Sequence, residues 1–425
     1  MMGRSLDTGI PGGVAQEPSV ADMVEELRCY LRPDPPALSL PPRLFTSPRL
    51  YASERARIFG RSWMMVAHRD QLASPGDYVA LEIAGEPVAI TRGTDGLLHG
   101  MSPICRHRMM PLVASGAGQT KDFTCPYHLW RYHLDGTLLA ATHMRGNPDF
   151  DPAACRLPAF AVEEWRGFVF VNLQADAAPL AGHLAGVDGD LANYRLDDMV
   201  QVSTWTEEWR CNWKVAVENS YENYHAIGFH PNTVKPLMTG GIDMEVHTDS
   251  PLITRLLTRT GEPMEPSVLP LTEEEKQVLY SFRMFPCSSL ATFGESVAWI
   301  TLIPLSIDRT EVRGGTLMPA AALEGADVEA IRKQTEQFTG VINTEDRLGL
   351  EAVQRTLGSR FIERGHLSPK EPGVLAFYRN LALALAEDCL LYTWCAGRQS
   401  GGRIERLCRK TSRGSQRAFT RCSRG

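Results

Sequence analysis

Four potential metal ligands, arranged as two short pairs, constrain this 425-residue chain more than any other feature. Cys105-Arg106-His107 is followed, after about seventeen residues, by Cys125-Pro126-Tyr127-His128. Each pair offers one thiolate and one imidazole. Two loops brought together can therefore hold a [2Fe–2S] cluster with sulfur on one iron and nitrogen on the other. Neutral imidazoles in place of two thiolates remove negative charge and raise the potential of such a cluster. A structural zinc site draws on the same residue types but usually groups both Cys ahead of both His. The mixed order favours the cluster, a one-electron carrier whose electron needs a destination.

The remaining composition narrows the setting. A chain of this length that is 43% hydrophobic can fill two cores. A net charge of -6 and a pI near 6.0 argue against a nucleic-acid footprint. Met1 to Glu17 holds no apolar run, and no later stretch reaches the roughly eighteen apolar residues of a membrane span. A cytoplasmic protein without membrane contact is expected. Cys29, Cys155, Cys211 and Cys287 sit in no ligand-like context and read as ordinary buried thiols.

Along the chain, residues 1–45 read as a leader with an amphipathic helix at Val20 to Leu31, ended by the Pro-rich run 33–42. Residues 46–180 carry short strand patterns: Tyr78 to Ile83, Pro87 to Thr91 and Phe168 to Val171. Both Cys/His pairs fall between such strands, and Asp135-Gly136 marks a hairpin turn after the second. Gln174 to Leu191 reads as a linker. Residues 181–395 change grain, with strands at Val202 to Arg210, Ala298 to Ile307 and Glu311 to Met318. A helix is expected from Asn212 onward and a long one from Asp327 to Leu357. The expected fold class is α+β: a small all-β domain, then an antiparallel sheet gripping helices. Residues 396–425 are basic and poor in apolar periodicity, and read as a disordered tail.

A second chemical signal lies in Glu222-Asn223-Tyr224-His225, followed by His230-Pro231. Five residues of regular helix turn about 500°, so His225 and His230 can converge only if the helix loosens, for which Gly228 is the candidate. Two His and one carboxylate hold a mononuclear iron with positions left open for O₂ and substrate. The carboxylate must come from elsewhere. Asp346 shares a helix face with Ile342, Gly349 and Val353, where an unpaired acid is costly. Glu345 beside it is expected to point away into solvent.

Taken together, the chain resembles the large oxygenase component of the Rieske non-haem iron oxygenases, the ring-hydroxylating family. The resemblance covers roughly residues 45–385. It rests on Cys105-x-His107…Cys125-Pro-Tyr-His128-x-Trp130, Asn212-Trp-Lys…Glu218-Asn219…Glu222-x-Tyr-His225…His230-Pro231 and Glu345-Asp346…Gln354. It implies that Cys105 and Cys125 bind one cluster iron and His107 and His128 the other. His225, His230 and Asp346 match the ligands of a mononuclear Fe(2+), and Glu222 the carboxylate that bridges a cluster His of one subunit to an iron-ligand His of the next. It further implies a head-to-tail homotrimer, with or without a β subunit, in which electrons reach O₂ and a small-molecule substrate. No G-x-G-x-x-G loop occurs in the chain, so NAD(P)H must act indirectly, through a separate reductase or ferredoxin.

Besides the basic tail, one departure from the family pattern stands out. Where relatives commonly carry Gly after the His-Arg pair and after the second cluster His, this chain has Met109 and Leu129, and a slightly different loop is expected there. Glu rather than Asp at 222 resembles relatives that oxidise choline, betaine or carnitine. A cationic substrate would want an aromatic cage, and Trp205, Trp209, Trp213, Tyr221 and Tyr224 lie nearby in sequence, though such rings are more often core. The breadth of the family inclines the reading to hydroxylation, including cis-dihydroxylation, of an aromatic compound. A quaternary-amine monooxygenase is the alternative, and a plain Rieske electron carrier the non-enzyme one.

Overall fold

The computed structural model describes residues 17–184, 186–250, 252–264 and 267–386. The basic tail at 396–425 lies outside them. Two seven-stranded antiparallel sheets organise the chain. The first draws on β1 (Met64–His68), β2 (Asp77–Ile83), β3 (Glu86–Arg92), β4 (Leu98–Met101) and β5 (Gly116–Gln119). A small three-stranded sheet comes next, made of β6 (Phe123–Thr124), β7 (Arg131–Tyr132) and β8 (Leu138–Ala140). With β9 (Ala159–Trp165) and β10 (Phe168–Asn172), the first sheet takes the order β1-β10-β9-β4-β3-β2-β5. The cluster motifs sit on the two loops that lead into β5 and β7, so the all-β expectation for this region holds.

The second sheet is a meander closed by one long return. It comprises β11 (Met199–Trp209), β12 (Met244–Ser250), β13 (Ile253–Arg259), β14 (Val278–Met284), β15 (Ser288–Phe293), β16 (Ser296–Ser306) and β17 (Arg309–Pro319). Its order is β11-β17-β16-β15-β14-β13-β12, so the first strand pairs with the last and every other strand with its sequence neighbour. The long strands β16 and β17 place Val297, Trp299, Ile303, Val312 and Leu317 inside.

The five longer helices among the described residues complete the core and carry part of the site: α1 (Val20–Leu27), α2 (Pro48–Glu54), α3 (Trp213–Ser220), α4 (Val328–Thr356) and α5 (Pro372–Leu385). Several start for a local reason. The Ser19 and Asn212 side chains accept the N–H of Asp22 and Lys214, and Asp327 accepts that of Ala330. The helix α4 is then fastened to the start of α3: the Gln354 carboxamide accepts the Asn212 N–H at 2.8 Å, and the Glu351 carboxylate accepts that of Arg210 at 3.1 Å. Asn343 donates to Glu207 on β11 at 3.0 Å, tying the same helix to the sheet edge.

Two expectations need revision. The N-terminal helix is no separate leader, because Met23, Val24 and Leu27 are buried in the main core and the Tyr30 ring meets Tyr378 of α5 edge-on at 4.9 Å. The expected linker is also packed. Leu180, Leu184, Val187 and Leu191 all enter that core, at the three-to-four spacing of a helical stripe that its polar, Ala-rich composition obscures. Among the described residues no helix is long and apolar enough to cross a membrane.

Candidate metal sites

The two cluster loops are built alike. Cys105 N–H donates to Met110 C=O and Met109 N–H to Cys105 C=O; Cys125 N–H donates to Trp130 C=O and Leu129 N–H to Cys125 C=O. Met109 and Leu129 occupy the same place in each turn, with φ of 57 and 59. A left-handed backbone costs an L-residue about 1–2 kcal/mol that Gly escapes. The two side chains therefore sit in a left-handed turn that Gly would adopt without strain. Both remain largely in solvent, 80% and 59% exposed.

Within these loops Cys105 and Cys125 are buried and unpaired as disulfides. His107 and His128 present their Nδ1 atoms to each other at 3.1 Å. Two imidazole nitrogens facing one point beside two buried thiols make a metal-ligand arrangement, so the residues fit a two-Cys, two-His cluster. Burial, followed by the charges of His107 and Arg108, pushes the His128 imidazole below its ordinary value, towards the neutral form a metal needs. Trp130 stacks on His107 with centroids 4.9 Å apart. The Tyr132 hydroxyl accepts the Arg106 N–H at 2.9 Å and lies 3.4 Å from Cys105 Sγ.

The second site does not arise as its sequence suggests. The helix α3 ends at Ser220, and Tyr221 and Asn223 leave helical geometry before a short turn at Tyr224–Ile227. The break lies there and not at Gly228, which keeps ordinary right-handed backbone. Phe229 folds back over Gly349 of α4, where a Cβ would collide with its ring. That contact brings His230 to Asp346, one helical turn from Gly349.

His225, His230 and Asp346 thus converge, each offering a ligand atom within 4.8 Å of the others. Asp346 Oδ1 is 3.0 Å from His230 Nε2 and 3.8 Å from His225 Nε2, and it accepts the Asn219 carboxamide at 3.0 Å. Both imidazoles turn Nε2 inward. Their outward nitrogens are each held by a glutamate: His225 Nδ1 by Glu222 Oε1 at 2.6 Å, and His230 Nδ1 by Glu345 Oε2 at 2.8 Å. Thr233 donates to that same Glu345 oxygen at 2.7 Å. Glu345 is therefore a partner of the site rather than a solvated charge. A residue 100° round the helix from Asp346 reaches the far side of the same ring. Burial opposes charging His230, but the Asp346 and Glu345 carboxylates outweigh it and hold the imidazole above its ordinary value.

The aromatic residues near this segment do not form a cage. Trp213 packs edge-on between Phe59 and Phe377, Tyr221 lies against Phe377, and Trp209 is buried with its N–H on Glu207. Trp205 covers Gly314 of β17, and only Tyr224 faces solvent. For Trp209, Trp213 and Tyr221 the reading as core is the correct one, while Trp205 is half-buried.

Comparison with known proteins agrees with this geometry. Residues 62–160 match the Rieske [2Fe-2S] domain family, and residues 196–387 the ring hydroxylating alpha subunit (catalytic domain) family. The carnitine monooxygenase oxygenase subunit of Escherichia coli is 30% identical over 348 residues, covering 79% of this chain and 90% of the relative. This chain is a Rieske oxygenase alpha subunit. The glycine betaine monooxygenase oxygenase subunit of Pseudomonas aeruginosa is 28% identical over 382 residues, covering 80% of this chain and 87% of that relative. The solved structure of a quaternary ammonium Rieske monooxygenase in complex with L-carnitine superposes with a TM-score of 0.72 at 25% identity, covering 85% of this chain and 99% of that one. As a Rieske oxygenase alpha subunit the protein is an oxidoreductase that works with a [2Fe–2S] cluster, a mononuclear iron and electrons from a reductase.

Proposed function

We propose that this oxygenase acts on a quaternary amine of the carnitine or betaine type, as a monooxygenase, rather than on an aromatic compound. The observation that carries the reading is coverage: relatives matched over nearly their whole length are named for carnitine and glycine betaine. Glu at position 222 agrees with it.

In this reading Cys105, His107, Cys125 and His128 hold the cluster, and His225, His230 and Asp346 hold the iron. When bound, the cluster supplies single electrons and the iron supplies open positions for O₂. Glu222 takes the proton-bearing Nδ1 edge of His225 on one oxygen and the His225 backbone N–H on the other, at 3.0 Å. A carboxylate accepts about four hydrogen bonds, so Glu222 can take one more from an imidazole of a neighbouring subunit. His107 and His128, with Nδ1 turned inward, leave their Nε2 edges for that role. Electrons pass between subunits of a head-to-tail trimer, and Glu222 fixes both rings.

The test is substrate-dependent O₂ uptake with a surrogate reductase. Carnitine, glycine betaine and choline should couple O₂ uptake to their own consumption, while aromatic acids and hydrocarbons should not. Coupling with aromatics alone would overturn the substrate reading. Iron content separates an oxygenase, at about three per chain, from an electron carrier, at about two.

A further inference from the structure

Arg283 is an inward-facing cation with nothing to balance it. It stands on β14, near the middle of the second sheet, opposite Thr254 of β13 on one side and Ser289 of β15 on the other. Side chains paired in this way share a face of the sheet. The same face carries Thr258, whose hydroxyl accepts the Asn223 carboxamide at 2.6 Å, two residues before the ligand His225. The opposite face packs on β1, where the Ser288 hydroxyl accepts the Met65 N–H and Thr301 donates to Met65 C=O. Arg283 therefore points to the side of the sheet that faces the iron-site segment.

Burial pulls the Arg283 guanidinium down to about 10 from an ordinary 12.5, partly offset by the Tyr221 hydroxyl, so it stays charged at neutral pH. Its Nε is enclosed without a hydrogen-bond partner, and so is the Thr254 hydroxyl opposite. Among the described residues no carboxylate pairs with it. An unpaired charge in such a place is costly. Ser281 and Arg283, with Ala291 beside them, nevertheless keep accessible surface in mid-sheet, next to the point where Leu256 meets Gly373 of α5. That strip is a hollow rather than packed core. We propose that Arg283, with the Thr254 and Ser289 hydroxyls on either side, receives the carboxylate of a zwitterionic quaternary amine and leaves its ammonium end for the iron site. A guanidinium fork matches a carboxylate with two parallel bonds, and the hydroxyls can donate to the remaining lone pairs. The inference rests on the quaternary-amine reading and narrows it to amines that carry a carboxylate, as carnitine and glycine betaine do and choline does not.

The test uses the full chain with its metals. Arg283→Met keeps most of the side-chain volume without the charge, and Arg283→Lys keeps the charge without the fork. Iron content and the visible spectrum of the cluster check that both variants fold. In O₂ uptake coupled to substrate consumption, Arg283→Met should raise KM for glycine betaine and carnitine about 10–100-fold, with kcat changed far less. The preference for glycine betaine over choline should fall by the same factor, and Arg283→Lys should restore part of it. In the wild type itself, anaerobic calorimetry should find glycine betaine bound at least about tenfold more tightly than choline. A purely structural role would lower turnover of both amines alike and leave the preference unchanged. That result, an unchanged KM in Arg283→Met, or equal wild-type affinities would overturn the inference and leave the quaternary-amine reading intact. A wild type that consumes aromatic compounds and none of the three amines would remove both.

Discussion

Removing Glu345 should loosen the iron without disturbing the cluster. In the structure this carboxylate takes the Nδ1 edge of His230 at 2.8 Å and the Thr233 hydroxyl at 2.7 Å. It thereby fixes the ring so that Nε2 faces Asp346. A hydrogen bond to a charged group contributes about 1.5–3 kcal/mol when sheltered. Glu345 is 28% exposed, so water replaces part of that loss. Loss of a carboxylate behind a metal-bound imidazole typically weakens metal binding about 10–100-fold, or about 1.4–2.7 kcal/mol, and Glu345→Ala should fall in that range. Glu345→Gln keeps an acceptor of the same shape and should cost about tenfold or less. Thr233→Val, which breaks only the outer bond, should cost less again. Ferrous iron titrated anaerobically against a chromogenic chelator measures all three, with the visible spectrum of the cluster as a control for folding. An Ala variant that binds iron like wild type, or a reversed order of the three, would show that His230 is oriented by something else.

Three further outcomes concern buried and cluster-side groups. Lys214 and Glu54 form a fully buried pair at 2.6 Å, and Trp213 donates its indole N–H to the same carboxylate at 2.8 Å. Glu54→Ala strands a buried ammonium and should cost about 3–5 kcal/mol in urea unfolding; a loss below about 1 kcal/mol would contradict this. Burial pushes the Glu218 carboxyl up to about 8 from an ordinary 4.5, against the opposing effects of the Tyr378 hydroxyl and the Lys214 charge. The folded form thus holds a proton that the unfolded chain releases. Its stabilising contribution is complete below about pH 4.5 and lost as pH rises through about 8. Glu218→Gln should flatten that slope, and parallel pH profiles for variant and wild type would refute the assignment. Tyr132→Phe removes a hydroxyl poised to donate to Cys105 Sγ, and with it the extra stabilisation of the reduced cluster. Its potential should fall by about 40–60 mV, taking about 1–1.5 kcal/mol for the bond; voltammetry that finds no shift would show the bond is not made.

Much of the fold could be read along the chain because its signals are local. A short apolar run bounded by turn residues marks the strand at Tyr78 to Ile83, and a capping Asp327 followed by helical periodicity marks α4. The Cys/His pairs could be read for the same reason, since each lies within one tight loop. The reading failed where a pattern competes with composition or where contacts cross long distances. The stripe at Leu180, Leu184, Val187 and Leu191 is hidden among small residues and passes for a linker. The helix through His225 breaks early because Phe229 must reach Gly349, 120 residues further along.

The candidate metal-holding residues, and roughly the elements that carry them, were legible in the sequence because ligand type and spacing are properties of a few consecutive residues. The tertiary structure alone decided which nitrogen of each imidazole turns inward. It also made Glu345 a partner of His230, buried Trp209 and Trp213 in the core, and left Met109 and Leu129 strained at the surface. Those outcomes depend on groups brought together from distant parts of the chain, where packing and the pairing of buried polar atoms outweigh local preference.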